Sequence, residues 1–172
     1  MAKTVIREEL NVDLGSLKVG AIHESPLLEK LFDSQTLSKI SYYYHGDFTS
    51  PIASGSYPTE GMLIVPTSTT TLGRIAAGIS QSLIERAAEC IIKEGRKLVL
   101  VPRETPLSAI HLENMLKLSR IGVGIVPAMP GFYSGQKSID EMVDFVVGKA
   151  LDYIGIQHTL FARWTGSREK VS

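Results

Sequence analysis

Three short apolar runs, each closed by the dipeptide Val-Pro, constrain the fold of this chain more than any other feature of its sequence. The runs are Met62–Pro66, Leu98–Pro102 and Val123–Pro127. Their length and their content of β-branched residues are typical of strands that are buried on both faces, as in a parallel sheet. Because proline has no N–H to donate to a neighbouring strand, each Val-Pro predicts the end of its strand and the start of a loop.

The segments that alternate with these runs have helical periodicity. The predicted helices are Leu72–Glu94, Leu107–Ser119 and Ile139–Ile154, and Glu85 is among the residues of the first that we expect to be exposed. Alternating strands and helices are typical of a layered α/β fold, in which right-handed crossovers join parallel strands. Three strands are too few to bury both faces of a sheet, so we expect further strands to join them.

Residues 1–60 have the least regular pattern. The aromatic stretch Ile40–Tyr44 is β-prone and is a candidate for an additional strand. It is followed by His45–Ser56, which is rich in Gly, Ser and Pro and predicts a long surface loop. We therefore interpret all 172 residues as a single domain, in which the irregular part precedes a core at 61–154 and a C-terminal tail at 155–172.

The composition argues against several classes of partner. Eighteen basic side chains balance eighteen acidic ones, so no net charge favours nucleic acid or an anionic membrane. No apolar run approaches the roughly 18 residues of a membrane span, and the N-terminus lacks the apolar core of a signal peptide. The single cysteine, Cys90, has no partner for an internal disulfide, and the four histidines show no metal-ligand spacing. We therefore predict a cytoplasmic protein without a metal site and without a nucleic-acid or membrane partner.

Polar residues follow the first predicted strand, at the end where open α/β sheets bind their ligands. Residues 67–71 present five consecutive hydroxyl groups just before a predicted helix. The free N–H groups and the dipole of a helix N-terminus suit an anion or the polar edge of a flavin. Serine and threonine are also favoured there as plain helix caps, so both interpretations stay open.

The loops after the other two strands carry a charged pair and an aromatic pair. Arg103 offers a planar cationic fork that suits phosphate. Glu104 beside it is suited to orienting that fork or moving a proton, and a surface ion pair is the alternative. Phe132 and Tyr133 suit an apolar wall with one hydroxyl donor, and closing the core is the alternative for them.

Four segments of the chain resemble one known family. They are GMLIVPTSTTTLGRIAAGIS, ERAAECIIKEGRKLVLVPRETPL, HLENMLKLSRIGVGIVPAMPGFY and LFARW. With these motifs in order between Ile52 and Trp164, the chain is similar to the flavin prenyltransferases of the UbiX type, also described as phenylacrylic acid decarboxylase-like flavoproteins.

The resemblance implies a fold, a cofactor and a reaction. The fold is Rossmann-like or flavodoxin-like, with three layers around a mostly parallel sheet, and the subunits form a homododecamer that binds FMN. The reaction joins a dimethylallyl group from dimethylallyl phosphate to N5 and C6 of reduced FMN. The prenylated FMN then passes to a UbiD-type decarboxylase, and no metal takes part.

The resemblance also implies roles for individual residues, matched by motif. They are Glu104 and Arg103 for catalysis; Ser68, Thr69, Thr70, Thr71 and Arg103 for the flavin; Tyr133, Lys149, Lys93 and Arg86 for the substrate phosphate; and Trp164 in the pocket wall. Some of these are expected to act across subunit boundaries. Two positions depart from the family pattern: several relatives have arginine in place of Lys149, and many have Cys-Ser-Met in place of residues 67–69.

We expect the chain to lack the N-terminal strand–loop–helix–strand with which the family begins. Met1 aligns just beyond a flavin-binding serine of that segment, and Lys18–Phe48 matches the family pattern poorly. Truncation is the favoured explanation, and a divergent member whose gap another chain fills is the alternative. The strand that is missing would leave an unpaired, apolar sheet edge.

Two other functions compete with prenyl transfer. One is a non-catalytic or truncated FMN-binding or assembly subunit. Such a subunit would keep the pocket chemistry without the N-terminal loop that is expected to bind the FMN phosphate. The other is a flavin-dependent decarboxylase of the phosphopantothenoylcysteine type. That type needs a catalytic histidine near the N-terminus and an asparagine-containing flavin motif, and this sequence shows neither.

Overall fold

The computed structural model describes residues 32–132 and 136–163, which belong to two compact units that divide after Ser50. In the first unit, a short helix α1 (Ser34–Leu37) is capped by Asp33, whose carboxylate accepts a hydrogen bond from the Thr36 N–H at 2.7 Å. The aromatic stretch 40–44 forms no strand. Its expected role as an additional strand is therefore wrong.

The second unit alternates strands and helices along the chain. Its elements are a 3-10 helix (Pro51–Ala53), β1 (Gly61–Thr67), α2 (Thr69–Ala77), α3 (Leu83–Lys93), β2 (Lys97–Pro102), α4 (Ala109–Arg120), β3 (Gly124–Ile125) and α5 (Ile139–Ile154). Of the helices in the described ranges, none combines the length and the apolar character that crossing a bilayer requires.

The three strands form one parallel sheet in the order β1-β2-β3. Each lies where the Val-Pro runs predict a strand, although β3 is shorter than predicted. Beyond it the chain still follows β2, because the Val126 N–H donates to the Leu100 carbonyl and the Ala128 N–H donates to the Pro102 carbonyl, both at 2.9 Å. The parallel α/β architecture predicted from the sequence is confirmed.

Alternation along β2 separates two apolar cores. Leu98 and Leu100 pack with side chains of α2, α3 and α4 on one face of the sheet. Val99 and Val101 point to the other face and pack with Ala150 of α5. Because successive side chains of a strand point to opposite faces, β2 is buried on both. The unit is therefore a three-layer arrangement of helices, sheet and helix.

The outer strand β1 is covered less completely than the sequence predicts. Ile64 is buried in the core beneath α2, but its neighbours Leu63 and Val65, on the opposite face, are 37% and 55% exposed. The helix on that face, α5, packs mainly on β2. The expectation that this run is buried on both faces is therefore wrong for β1 in the described part of the chain.

The predicted helix 72–94 is two helices. Gly78 adopts a left-handed conformation with a φ of 69°, which glycine reaches without a steric cost. The N–H groups of Gly78 and Ile79 then donate to carbonyls of the last turn of α2, and the turn closes the helix. Because α3 begins only after Ser82, the two helices are joined by the connecting residues 78–82, which we call the corner.

Glu85 contacts this corner and is buried, whereas the helical pattern predicts an exposed residue. Its carboxylate accepts hydrogen bonds from the Arg74 guanidinium at 3.1 Å and from the Gln81 N–H at 2.8 Å. Burial alone would raise the pKa of Glu85, but these hydrogen bonds outweigh it and hold the pKa below its ordinary value. The side chain is thus part of the link between α2 and α3.

Replacing Glu85 by Ala should destabilise the fold by about 2 kcal/mol, because the Gln81 N–H and the half-buried Arg74 lose their partner. Glu89→Ala on the same helix is the matched control, since Glu89 forms an exposed pair with Arg86 and such pairs contribute about 0–1 kcal/mol. Urea unfolding of both variants tests this. Equal losses would show that the corner does not depend on Glu85.

Candidate functional site

Two polar loops leave the sheet at the same edge. Thr67 at the end of β1 is paired with Pro102 at the end of β2. Because the strands are parallel, the residues that follow them emerge side by side at the carboxyl edge of the sheet. The chain therefore brings Ser68–Thr71 and Arg103–Glu104 together, as the sequence predicts for neighbouring strands.

Ser68 begins α2 as its N-cap. Its Oγ accepts a hydrogen bond from the Thr71 N–H at 3.1 Å and also lies 3.0 Å from the Thr71 hydroxyl. The N–H groups of the first helical turn otherwise have no acceptor within a helix. Together, these N–H groups and the hydroxyls of Thr69 and Thr70 are hydrogen-bond donors at the positive end of the α2 dipole.

The second loop carries an unpaired cation beside a carboxylate. Arg103 and Glu104 are both exposed, and no ion pair forms between them. Glu104 instead accepts a hydrogen bond from the Thr105 N–H at 3.1 Å. Within residues 32–132 and 136–163 the Arg103 guanidinium makes no hydrogen bond, so it is available to an anionic ligand.

The third loop is described only in part. Phe132 is 76% exposed and so does not close the core. The next residue, Tyr133, lies outside the described residues, and so does Trp164. Their predicted roles at the substrate phosphate and in the pocket wall therefore stay predictions.

Three further residues matched by motif lie away from this edge. Lys93 ends α3 only four residues before β2 begins, which places it towards the amino edge of the sheet, where it pairs with Glu94. Arg86, two turns earlier on α3, donates to the Ala53 carbonyl at 3.0 Å. A single chain does not bring these two cations to the loop that carries Arg103.

Lys149 belongs to a cluster in which the C-terminal tail packs on α5. Its ammonium lies 5.2 Å from the ring centroid of Phe161 and 5.6 Å from that of Phe145, within the range of cation–π attraction. The tail can approach because Gly148 has no side chain: a Cβ there would lie only 2.5 Å from the ring of Phe161 and 2.6 Å from that of His158. The tail thus fixes the surroundings of Lys149.

Asp152 fastens this tail to the helix. Its two carboxylate oxygens each accept a hydrogen bond from the Arg163 guanidinium at 2.6 Å, and one also lies 3.1 Å from His158 Nε2. The hydrogen bonds from Arg163 lower the pKa of the Asp152 carboxyl from its ordinary value to about 2. The motifs did not single out Asp152, because its partners lie six and eleven residues away across the turn at Gly155.

Comparison with known proteins identifies the relatives of this chain. Residues 15–151 match the family model described as Flavoprotein. A flavin prenyltransferase UbiX of Halalkalibacterium halodurans is 51% identical over 168 residues, which are 98% of this chain and 78% of that protein. The corresponding protein of Methanothermobacter thermautotrophicus is 46% identical over 165 residues, 96% of this chain and 77% of that protein. The matched range includes residues 18–48, which the motifs alone did not connect to the family.

Two solved structures are similar throughout the fold. A dodecameric FMN-dependent UbiX-like decarboxylase from Escherichia coli O157:H7 has a TM-score of 0.73 at 42% identity, over 96% of this chain and 80% of that one. AnUbiX, solved in complex with FMN and dimethylallyl pyrophosphate, has a TM-score of 0.71 at 38% identity, over 86% of this chain and 77% of that one. Both sequence identities are high enough to indicate common ancestry as well as a shared fold.

The ion pair between Asp152 and Arg163 should be visible as a lowered pKa of the Asp152 carboxyl. The pKa of this carboxyl is lower in the folded chain than its ordinary 3.8, so the pair stabilises the tail at neutral pH, and this contribution is lost as the pH falls from 3.8 to about 2. Carboxyl ¹³C NMR should give a midpoint near 2 in the native chain and a clearly higher one in Arg163→Gln. The same ordinary midpoint in both proteins would show that the pair does not form in solution.

Proposed function

The chain belongs to the flavin prenyltransferase (UbiX) family, and we propose that it transfers a dimethylallyl group from dimethylallyl phosphate to reduced FMN. The observation that carries the proposal is the pair of loops at the carboxyl edge of the sheet. There, donors at the N-terminus of α2 lie at the same edge as Arg103, whose guanidinium has no hydrogen-bond partner among the described residues. Such an edge suits a ligand with a polar ring edge and anionic groups.

FMN fits the donor set that this edge provides. Ser68, Thr69, Thr70 and Thr71 offer hydroxyl and backbone N–H groups to its polar atoms, and Arg103 offers a bidentate fork to an anionic oxygen. When bound, reduced FMN supplies the nucleophilic N5 and C6, and the C–O bond of the prenyl phosphate gives way to bonds at these two atoms. One proton ends on the prenyl chain and one leaves with the phosphate.

Arg103 and Glu104 have different roles in the proposed reaction. The permanent charge of Arg103 stabilises the phosphate anion as the C–O bond breaks, an interaction that strengthens as the charge develops. Glu104 lies next to it, and one of its carboxylate oxygens accepts a hydrogen bond from the Thr105 N–H. An exposed carboxyl group in this place can accept a proton displaced from the ring and return it to the prenyl chain.

The remaining phosphate ligands require more than one copy of the chain. Arg86 is bonded to the Ala53 carbonyl, Lys93 ends α3 close to the start of β2, and Lys149 is held against the tail. We propose that these cations, together with Tyr133, complete the site of a neighbouring subunit. The dodecameric state of the similar Escherichia coli protein supports such an assembly.

We expect a UbiD-type decarboxylase to consume the product. The cytoplasmic location also stays a prediction.

A non-catalytic FMN-binding subunit is the alternative that the same edge allows. An anaerobic assay with reduced FMN and dimethylallyl phosphate separates the two. Phosphate release together with a prenylated flavin, detected by mass spectrometry, supports the enzyme. FMN binding without either product would support the binding subunit.

Ser68→Ala should weaken FMN binding roughly tenfold or more, since it removes a hydroxyl from the proposed flavin edge and loosens the first turn of α2. Ser108→Ala is the matched control, because Ser108 caps α4 in the same way through the His111 N–H. Both variants should lose about 1 kcal/mol of stability as cap deletions. Titration followed by flavin fluorescence checks the affinities; an equal, small effect of both would mean that Ser68 is only a cap.

Glu104→Gln should slow prenyl transfer by about 100-fold or more while FMN affinity changes little, because the amide keeps the shape but cannot move a proton. Glu113→Gln, at an exposed position of α4, should leave both unchanged. Single-turnover rates at saturating FMN provide the comparison. Parallel losses of rate and affinity in Glu104→Gln would assign the residue a structural role instead.

A further inference from the structure

The end of β1 contains an irregularity just before residues 68–71, which are proposed to bind the flavin. Pairing with β2 runs from Ile64 opposite Leu100 to Thr67 opposite Pro102, so three steps along β1 match two along β2. One extra residue is thus accommodated in β1 as a bulge. Pro66 lies inside it and has no N–H for the ladder.

The side chain of Thr67 makes the hydrogen bonds that the bulge would otherwise lose. Its Oγ1 donates to the Ile64 carbonyl at 2.6 Å and accepts from the Val101 N–H at 3.0 Å. Thr67 is only 2% exposed, so no solvent competes for these bonds. Both backbone groups would be left without a partner in the core if the hydroxyl were removed.

This hydroxyl ties together the two loops of the proposed site. Thr67 is followed directly by Ser68, the N-cap of α2, and Val101 lies two residues before Arg103. The bond from Val101 to Thr67 therefore links the two strands close to the point where both loops leave the sheet, next to the pairing of Thr67 with Pro102.

We propose that Thr67 is a positioning residue that sets the spacing between the α2 N-terminus and the Arg103–Glu104 loop, an inference that rests on the proposed function. It acts on the ligand only through its neighbours, since its side chain is buried. Displacements of about 1 Å in a catalytic site can reduce rates by roughly 100-fold. The hydroxyl suits this role because it both donates and accepts, which an isosteric apolar side chain cannot do.

Two substitutions at this position separate the hydroxyl from the shape. Thr67→Val keeps the volume and loses both hydrogen bonds, whereas Thr67→Ser keeps the hydroxyl. Val123→Ala, a truncation in the core at the amino end of β3, is a control for loss of stability away from the site. Each protein is measured for Tm, for FMN affinity and for the single-turnover rate of prenyl transfer at saturating FMN.

We expect Thr67→Val and Val123→Ala both to lower Tm, but only Thr67→Val to weaken FMN binding roughly tenfold and to slow transfer by about 100-fold. Thr67→Ser should restore both to within a few-fold of the native chain. If Thr67→Val matches Val123→Ala in affinity and rate while the native chain is active, Thr67 is merely structural and the inference fails alone. An inactive native chain overturns this inference together with the proposed function.

If Thr67→Val does not fold, Thr67→Cys takes its place. A thiol of similar size forms weaker hydrogen bonds with the same groups, so FMN affinity and transfer rate should both fall below those of Thr67→Ser. Values for Thr67→Cys that equal those of the native chain would overturn the inference.

Discussion

The burial of β2 on both faces is the constraint on which the rest of the described structure depends. Leu98 and Leu100 face the helices α2, α3 and α4, while Val99 and Val101 face α5. Since β2 is also paired in parallel with a strand on each side, its neighbours must end at the same edge. The meeting of the two polar loops is thus a consequence of how β2 is paired with its neighbours.

The two edges of the sheet carry different parts of the proposed chemistry. The carboxyl edge has donors at a helix N-terminus and an arginine that has no hydrogen-bond partner in the described part of the chain, and these suit a flavin and a developing phosphate anion. Cations matched to the same reaction, Arg86 and Lys93, belong to a helix that runs towards the opposite edge. Under the proposed function, a site divided in this way would become complete only in an assembly. The C-terminal tail is held by the bond between Arg163 and Asp152, and its Phe161 ring contacts Lys149, a third cation matched to this reaction.

The sequence predicts what depends on local patterns and fails where distant residues decide. The Val-Pro runs locate all three strands, and α5 has the predicted bounds because its periodicity is uninterrupted. The break at Gly78 was missed, since a glycine within a helical pattern is often tolerated. Burial of Glu85 depends on its pairing with Arg74 across that break, and the exposure of Val65 depends on where α5 packs. No local pattern contains such information. The motifs predict the residues of the site, and these roles stay predictions, whereas the role proposed for Thr67 needed the register of β1 against β2.

Hydrogen exchange of backbone amides with and without FMN is the sharpest test of the claim that FMN binds at the carboxyl edge. We expect slower exchange on FMN binding in peptides that cover residues 68–72 and 103–105, because these N–H groups and their neighbours would be covered by the ligand. Peptides from the amino edge, such as those around residues 94–97, should show protection only where subunits meet, independently of FMN. Saturable FMN binding that leaves residues 68–72 and 103–105 unprotected would contradict the claim.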